Sequence, residues 1–207
     1  MSKASELANL IGNINMGGGG VNRNILINGS TSVAQRGTSS TGIGASSGYF
    51  TCDRWKITTG NTAGRLTMTQ DSSAPSGTGL ANSIKLDCTT ADTSIAADEL
   101  TIIGQSIEGQ NLQTVQKGTS SAVPITVSFY AKANASATYV AELFDHDNTR
   151  NNTRAFTVGT DWARVELTFI PDTTGTLDDD NAASLTFQIW LHAGSTYSGG
   201  TFSDNTW

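Results

Sequence analysis

The chain has 207 residues, 37% of them hydrophobic and only 14% charged, and its formal net charge at pH 7 is −6. This length suits one large β-domain with a short arm, and the low charge with abundant Ser, Thr, Gly and Asn suits short strands joined by polar turns. The acidic balance excludes a nucleic-acid surface, and no apolar run of about twenty residues is present to insert into a membrane.

The first predicted element is an amphipathic helix over residues 2–14, which a serine at position 2 or 5 can cap. Its apolar residues recur at three- and four-residue steps: Leu7, Leu10, Ile11 and Ile14. Four glycines at 17–20 then predict a flexible hinge. Two interpretations of residues 1–21 stay open: an arm that docks its apolar stripe in a groove of another protein, or a frayed amino terminus.

From residue 22 onward, apolar and polar residues alternate in segments separated by Gly, Asn, Asp and Ser clusters, which predicts β-strands. Ten strands are predicted, near residues 24–35, 49–58, 64–70, 83–88, 99–107, 124–132, 138–145, 153–158, 162–170 and 184–192. One helical turn is predicted at 108–113. Because so many strands must hide their edges, we predict an all-β, two-sheet antiparallel jelly-roll β-sandwich over residues 22–207.

An arginine follows the first predicted strand, in the stretch NRNILINGSTSVAQRG at residues 22–37. A guanidinium at a strand end can bond a carboxylate or the carbonyls of a neighbouring turn. We therefore interpret Arg36 as a structural clamp at the mouth of the jelly roll, with Arg54 in the same polar cluster.

The polar sides of two predicted strands carry candidate sugar-binding residues. These are Tyr130 in the strand at 124–132, and Gln188, Trp190 and His192 in the strand at 184–192. An aromatic ring can stack on the face of a sugar while amide and imidazole groups bond its hydroxyls. The alternative is that a loop, the arm or a neighbouring subunit covers this side of the sheet.

Two acidic turns, at 145–148 and 178–181, are weak candidates for a structural calcium site. Their carboxylates are Asp145, Asp147, Asp178 and Asp180. Oxygen ligands in loops suit calcium, but neither turn has the spacing of a known calcium loop. The alternative is that these are solvated turn residues that cap strands, and no other cofactor is expected.

Sequence motifs for catalysis are absent, since the chain has no nucleophile elbow, zinc-helix motif or phosphate-binding loop. We therefore predict that the protein is not an enzyme. A pair of acids brought together as in a glycosidase is the remaining route to catalysis.

Six segments occur in an order that resembles one family of proteins: NILINGSTSVAQRGTSS, GYFTCDRWKI, QDSSAP, LTIIGQSIEGQNLQ, ITVSFYAKA and TFIPDTTGT. They resemble virion proteins of marine tailed bacteriophages, over roughly residues 22–207. The resemblance implies a non-enzymatic jelly-roll domain similar to carbohydrate-binding modules, carried on tail fibres, head fibres or other appendages. It implies a protein made in the host cytoplasm and displayed on the virion surface.

The resemblance also implies partners. They are other virion proteins of the portal, neck, capsid or fibre, host surface glycans, and further copies of this chain, with a trimer favoured as in fibre proteins. Family members continue past a pair like Thr206–Trp207 into a further strand resembling F-x-I-T-G-V-Q-L-E-V-G. We therefore expect either a longer natural protein or a partner chain that supplies this strand.

Three functional hypotheses follow. The first is a virion structural protein, an appendage or fibre subunit docked by its amino-terminal arm. The second is a lectin-like module that recognises host glycans, and the third is a glycan depolymerase.

Overall fold

The computed structural model describes residues 24–199 and 202–207. The predicted helix with Leu7, Leu10, Ile11 and Ile14 and the hinge after it lie outside the described residues. Ten strands are described: β1 (Ser39–Ile43), β2 (Lys56–Gly60), β3 (Arg65–Asp71), β4 (Ser83–Thr90), β5 (Leu100–Glu108), β6 (Ile125–Ala131), β7 (Ala137–Asp145), β8 (Arg150–Val158), β9 (Ala163–Phe169) and β10 (Ala183–Ala193). Two 3₁₀ turns, Gly109–Asn111 and Gln113–Val115, follow β5, and a short helix α1 (Ser195–Ser198) follows β10.

The strands form two layers. One layer is a five-stranded sheet in the order β2-β5-β10-β7-β8, with every neighbouring pair antiparallel. The second layer consists of two separate antiparallel sheets, β1-β3-β4 and β6-β9, which cover the same face of the five-stranded sheet. The predicted antiparallel jelly-roll sandwich is therefore confirmed, although its second layer is divided.

The core lies between the layers and is built from the predicted apolar faces. Leu185 and Phe187 of β10 and Phe169 of β9 are buried in one cluster, where the ring of Phe129 packs edge-on against Phe156 at 5.3 Å between centroids. A smaller cluster includes Ile57, Met68 and Ile103 under the three-stranded sheet. The alternation in β6, β9 and β10 thus sets which side of each strand is buried and leaves the opposite side of β10 on the outside of the sandwich.

The predicted strand at 24–35 is wrong, because side chains bond the backbone of this segment where a neighbouring strand would. The buried amide of Gln105 accepts from the N–H of Ile27 at 2.6 Å and donates to its carbonyl at 2.9 Å. The amide of Gln70 donates to the carbonyl of Thr31 at 2.6 Å. These bonds satisfy the backbone without a ladder. The first strand among the described residues is instead β1, whose sequence SSTGI lacks alternation.

Arg36, which follows the predicted strand at 24–35, has a carboxylate partner. The guanidinium of Arg36 donates to Asp53 at 2.9 Å and lies over the ring of Tyr49, 5.6 Å from its centroid. Arg54 lies in a turn with a left-handed backbone (φ 72°), and its nearest carboxylate is Glu108 at 3.9 Å. The two arginines therefore do not share a partner, and the half-exposed pair of Arg36 is of the kind that contributes about 0–1 kcal/mol.

One end of the sandwich holds a buried charge cluster, formed by Lys117, Asp145, Arg150 and Asp172. The ammonium of Lys117 lies 2.5 Å from Asp145 and 2.9 Å from Asp172, and Arg150 lies 2.8 Å from Asp172. Burial raises the pKa of Asp172, but hydrogen bonds from Lys117 and Thr174 outweigh this effect and lower the pKa below its ordinary value. Two cations therefore balance two anions, and among the four side chains only that of Arg150 keeps a sizeable exposed fraction, 30%.

Among the residues that the structure describes, no helix has the length and hydropathy needed to span a membrane.

Candidate functional site

The face of the five-stranded sheet turned away from the core, here called the outer face, contains three of the predicted site residues. Gln188, Trp190 and His192 alternate along β10 with Phe187, Ile189 and Leu191, which point into the core clusters. Side chains two residues apart on a strand share one face, so the three lie in a row.

Tyr130 does not join this row. It lies on β6, where its neighbour Phe129 packs into the core, so its ring is on the outer surface of the opposite layer and is 37% exposed. Grouping Tyr130 with Trp190 is therefore wrong. The alternation of β6 predicts its buried side correctly, but alternation does not reveal which of the two layers a strand joins.

Glu142 on β7 organises the centre of the outer face. It is the neighbour of Gln188 across the sheet, and its Oε2 accepts from the Gln188 amide at 2.5 Å and from the Trp190 indole N–H at 2.6 Å. The residue is only 4% exposed, and no described residue donates to its second oxygen, Oε1. Two donors on one oxygen stabilise the buried carboxylate and leave its other oxygen without a donor among the described residues.

Tyr197 extends the aromatic surface at Trp190. It lies in α1, which follows β10, and its ring is 5.6 Å from the Trp190 ring between centroids with 41° between the planes. Tyr197 is 47% exposed, whereas Trp190 is half-buried. The segment after β10 therefore places a second aromatic ring beside Trp190. A single tyrosine in a four-residue segment forms no sequence pattern, so its position beside Trp190 could not be predicted.

His192 lies beyond Trp190 at one end of the outer face. Its Nε2 is 3.3 Å from the carboxylate of Glu99, which is buried just before β5 begins. The pair ties the end of β10 to the start of β5 and leaves part of the imidazole ring accessible.

The other end of the outer face is polar and contains a shallow cavity of about 160 Å³. Thr186 lies 3.0 Å from Ser106 and 2.7 Å from the Nε2 atom of His146, so three side chains form a hydrogen-bonded chain. Partial burial lowers the pKa of His146, against opposing effects of Asp147 and Asp145, and so favours the neutral imidazole. The cavity is lined by Tyr49, Arg54, Ser106, Glu108, Asn181 and Ala183.

A glycine in β5 leaves the middle of the outer face without a side chain at that position. Gly104 of β5 lies opposite Gln188, and a Cβ atom at position 104 would approach the Cβ of Gln188 to 2.8 Å. Any larger residue would displace the amide that bonds Glu142.

Three of the four acidic turn residues use their carboxylates to bond other groups in the structure. Asp145 is fully buried and bonds Lys117, so it is neither a solvated turn residue nor an open ligand. Asp147 accepts from the N–H of Asp178, and Asp180 accepts from the N–H of Ala182, as turn-capping carboxylates do. Over residues 24–199 and 202–207, no three His, Cys, Asp or Glu side chains converge as a metal site requires.

Comparison with known proteins gives distant structural similarity and no family. No protein-family model and no curated protein matches the chain. A solved CBM4 structure is similar at 17% identity and a TM-score of 0.44, over 81% of this chain and 88% of that one. The enzymatically active domain of tailspike protein 4 of bacteriophage CBA120 is similar at 14% identity and a TM-score of 0.44, over 83% of this chain but only 20% of that one.

Proposed function

We propose that the outer face binds carbohydrate and that this chain displays the site on a phage particle, as an appendage or fibre subunit. The observation that carries the binding proposal is the buried carboxylate of Glu142, which fixes Trp190 and Gln188 side by side on a rigid sheet. A buried carboxylate that holds a ring in one orientation is expected where the ring must contact a ligand in a single pose.

The chemistry of this face suits sugars. The rings of Trp190 and Tyr197 offer an apolar surface for the C–H groups of a pyranose, and Glu142 and Gln188 offer an acceptor and an amide to its hydroxyls. The same face continues to Ser106 and Thr186, whose hydroxyl groups lie 3.0 Å apart and bond each other.

We propose binding without catalysis. A glycosidase needs two carboxyl groups free to protonate and attack the substrate. On this face the carboxylate of Glu142 holds two donors on one oxygen, and that of Glu99 pairs with His192. Intact polysaccharide after long incubation is the expected result.

The location on a virion rests on the sequence resemblance of residues 22–207. In this proposal the arm at residues 1–21 docks the protein on portal, neck, capsid or fibre components, and several copies, most simply three, present the site together. Repeated display multiplies weak binding through effective concentration. Antibody labelling of intact particles is expected to mark their surface, and particles that lack the protein would contradict this part of the proposal.

Replacing Trp190 with alanine tests the binding proposal. We expect wild-type protein to bind host surface polysaccharide in an array or by calorimetry, and Trp190→Ala to weaken that binding about tenfold to a hundredfold, as loss of a central aromatic contact does.

Tyr130→Ala is the matched control, because it removes an exposed aromatic ring from the opposite layer. It is expected to bind like the wild type. Equal losses in the two variants, or no binding by the wild type to any host glycan, would overturn the proposal.

A further inference from the structure

The buried charge cluster brings an amine and a carboxyl group together under conditions that favour their covalent reaction. The Nζ atom of Lys117 lies 2.5 Å from Oδ2 of Asp145 and 2.9 Å from Oδ2 of Asp172, and all three side chains are at most 4% exposed. The ring of Trp207 lies beside the amine, with its centroid 5.0 Å from Nζ. Bulk water therefore has almost no access to the contact between Lys117 and Asp145.

The backbone is left-handed on both sides of Lys117, a conformation that suits Gly118 but is disfavoured at Gln116. Gln116 has φ 53° and Gly118 has φ 82°, so a left-handed residue stands on each side of the lysine. A Cβ atom at position 118 would lie 2.5 Å from the backbone nitrogen of Thr176. Left-handed backbone at a residue other than glycine persists where the surroundings enforce it, and such strain clusters at reactive and functional sites.

We propose that Lys117 and Asp145 join in an intramolecular amide, an isopeptide bond that links the loop after the 3₁₀ turns to the end of β7. In this step the Lys117 ammonium passes one proton to the Asp145 carboxylate, and the resulting neutral amine attacks Cγ of Asp145 while Asp172 takes a second proton from the lysine nitrogen. The C–N bond forms and the C–O bond breaks, while Asp172 returns its proton to the departing hydroxyl. One water molecule leaves and nothing is oxidised or reduced.

The charges of the cluster select Asp145 as the electrophile. An amide between Lys117 and Asp145 removes one positive and one negative charge and leaves Arg150 paired with Asp172 at 2.8 Å. An amide to Asp172 would instead leave the buried carboxylate of Asp145 without its lysine. Because charges buried in a protein are costly even when paired, conversion of one ion pair into a neutral amide is favourable here.

The hydrogen bonds of the cluster are compatible with the product. The lysine nitrogen also donates to the carbonyl of Gly175 at 2.8 Å, and an amide retains one N–H for this acceptor. Asp172 keeps its bonds from Thr174 after the reaction. The Asn148 side chain, which donates to Asp145 Oδ1 and Oδ2, can hold the amide oxygen.

Intact-protein mass spectrometry of the full chain tests this proposal. The wild type is expected to be lighter than its sequence by one water, about 18 Da, and a proteolytic digest should contain one branched peptide that joins the segments around Lys117 and Asp145. Lys117→Arg should have its full sequence mass, and Asp172→Asn should retain the unreacted lysine.

The wild-type measurement is decisive even if the variants fold poorly. Full sequence mass in the wild type, with Lys117 and Asp145 in separate linear peptides, would show a plain ion pair and overturn the proposal. Water loss that maps elsewhere would overturn it as well. A crosslink that survives in Asp172→Asn would contradict the role assigned to Asp172.

Discussion

Replacing Lys117 with methionine is expected to lower the free energy of unfolding by about 3–5 kcal/mol, the usual cost of removing one partner from a buried ion pair. Methionine preserves most of the side-chain volume, so the loss reports charge rather than a cavity. Asp145 is fully buried and would keep only its bonds from Asn148, while Asp172 would keep Arg150. If the amide is present, loss of the crosslink adds to this cost.

Urea unfolding of the two proteins measures the difference. Lys85→Met is the matched control, because Lys85 pairs with Asp87 at 3.9 Å and both side chains are more than half exposed. The control is expected to change stability by at most about 1 kcal/mol. A similarly small change in Lys117→Met would show that the buried charge cluster does not hold this end of the sandwich together.

Replacing Glu142 with alanine is expected to weaken glycan binding about tenfold to a hundredfold, through two effects. A hydrogen bond to a charged group contributes about 1.5–3 kcal/mol, and the ligand would lose the acceptor at Oε1. The indole N–H of Trp190 and the amide of Gln188 would also lose their common partner, so the ring would no longer be held in one orientation.

Glu142→Gln separates these effects. Glutamine keeps the shape and one oxygen, so the variant is expected to fold normally and to retain more affinity than Glu142→Ala. Isothermal titration with the same glycan measures both variants. Unchanged affinity in Glu142→Ala, with the fold intact by circular dichroism, would contradict the role assigned to this carboxylate.

The strands with regular alternation were predictable because their own residues specify their buried side. In β10, Leu185, Phe187 and Ile189 alternate with polar residues, and the structure buries that side as predicted. The segment at 24–35 also contains apolar residues, but its backbone is bonded by the side chains of Gln105 and Gln70. A contact between a loop and a distant side-chain amide has no local pattern in the sequence.

The residues that organise the candidate site were missed for a related reason. Glu142 is two residues from both Val140 and Phe144 in β7, so alternation indicates only that these three side chains share one face of the strand. Its importance arises from its neighbour Gln188 on another strand, and pairing between strands distant in sequence is not encoded in either one alone. Lys117 likewise stands in a polar turn and is buried only because Asp145 and Asp172 meet there.

If the outer face of the five-stranded sheet binds carbohydrate, nuclear magnetic resonance shows it most directly. In this experiment a host glycan that the protein binds is titrated into the isotope-labelled protein. We predict saturable shifts that centre on Glu142, Gln188, Trp190 and Tyr197, including the indole N–H of Trp190, with none in β6 or β9. Shifts confined to Tyr130 and its neighbours in β6 and β9, or no saturable shift with any host glycan, would contradict the claim.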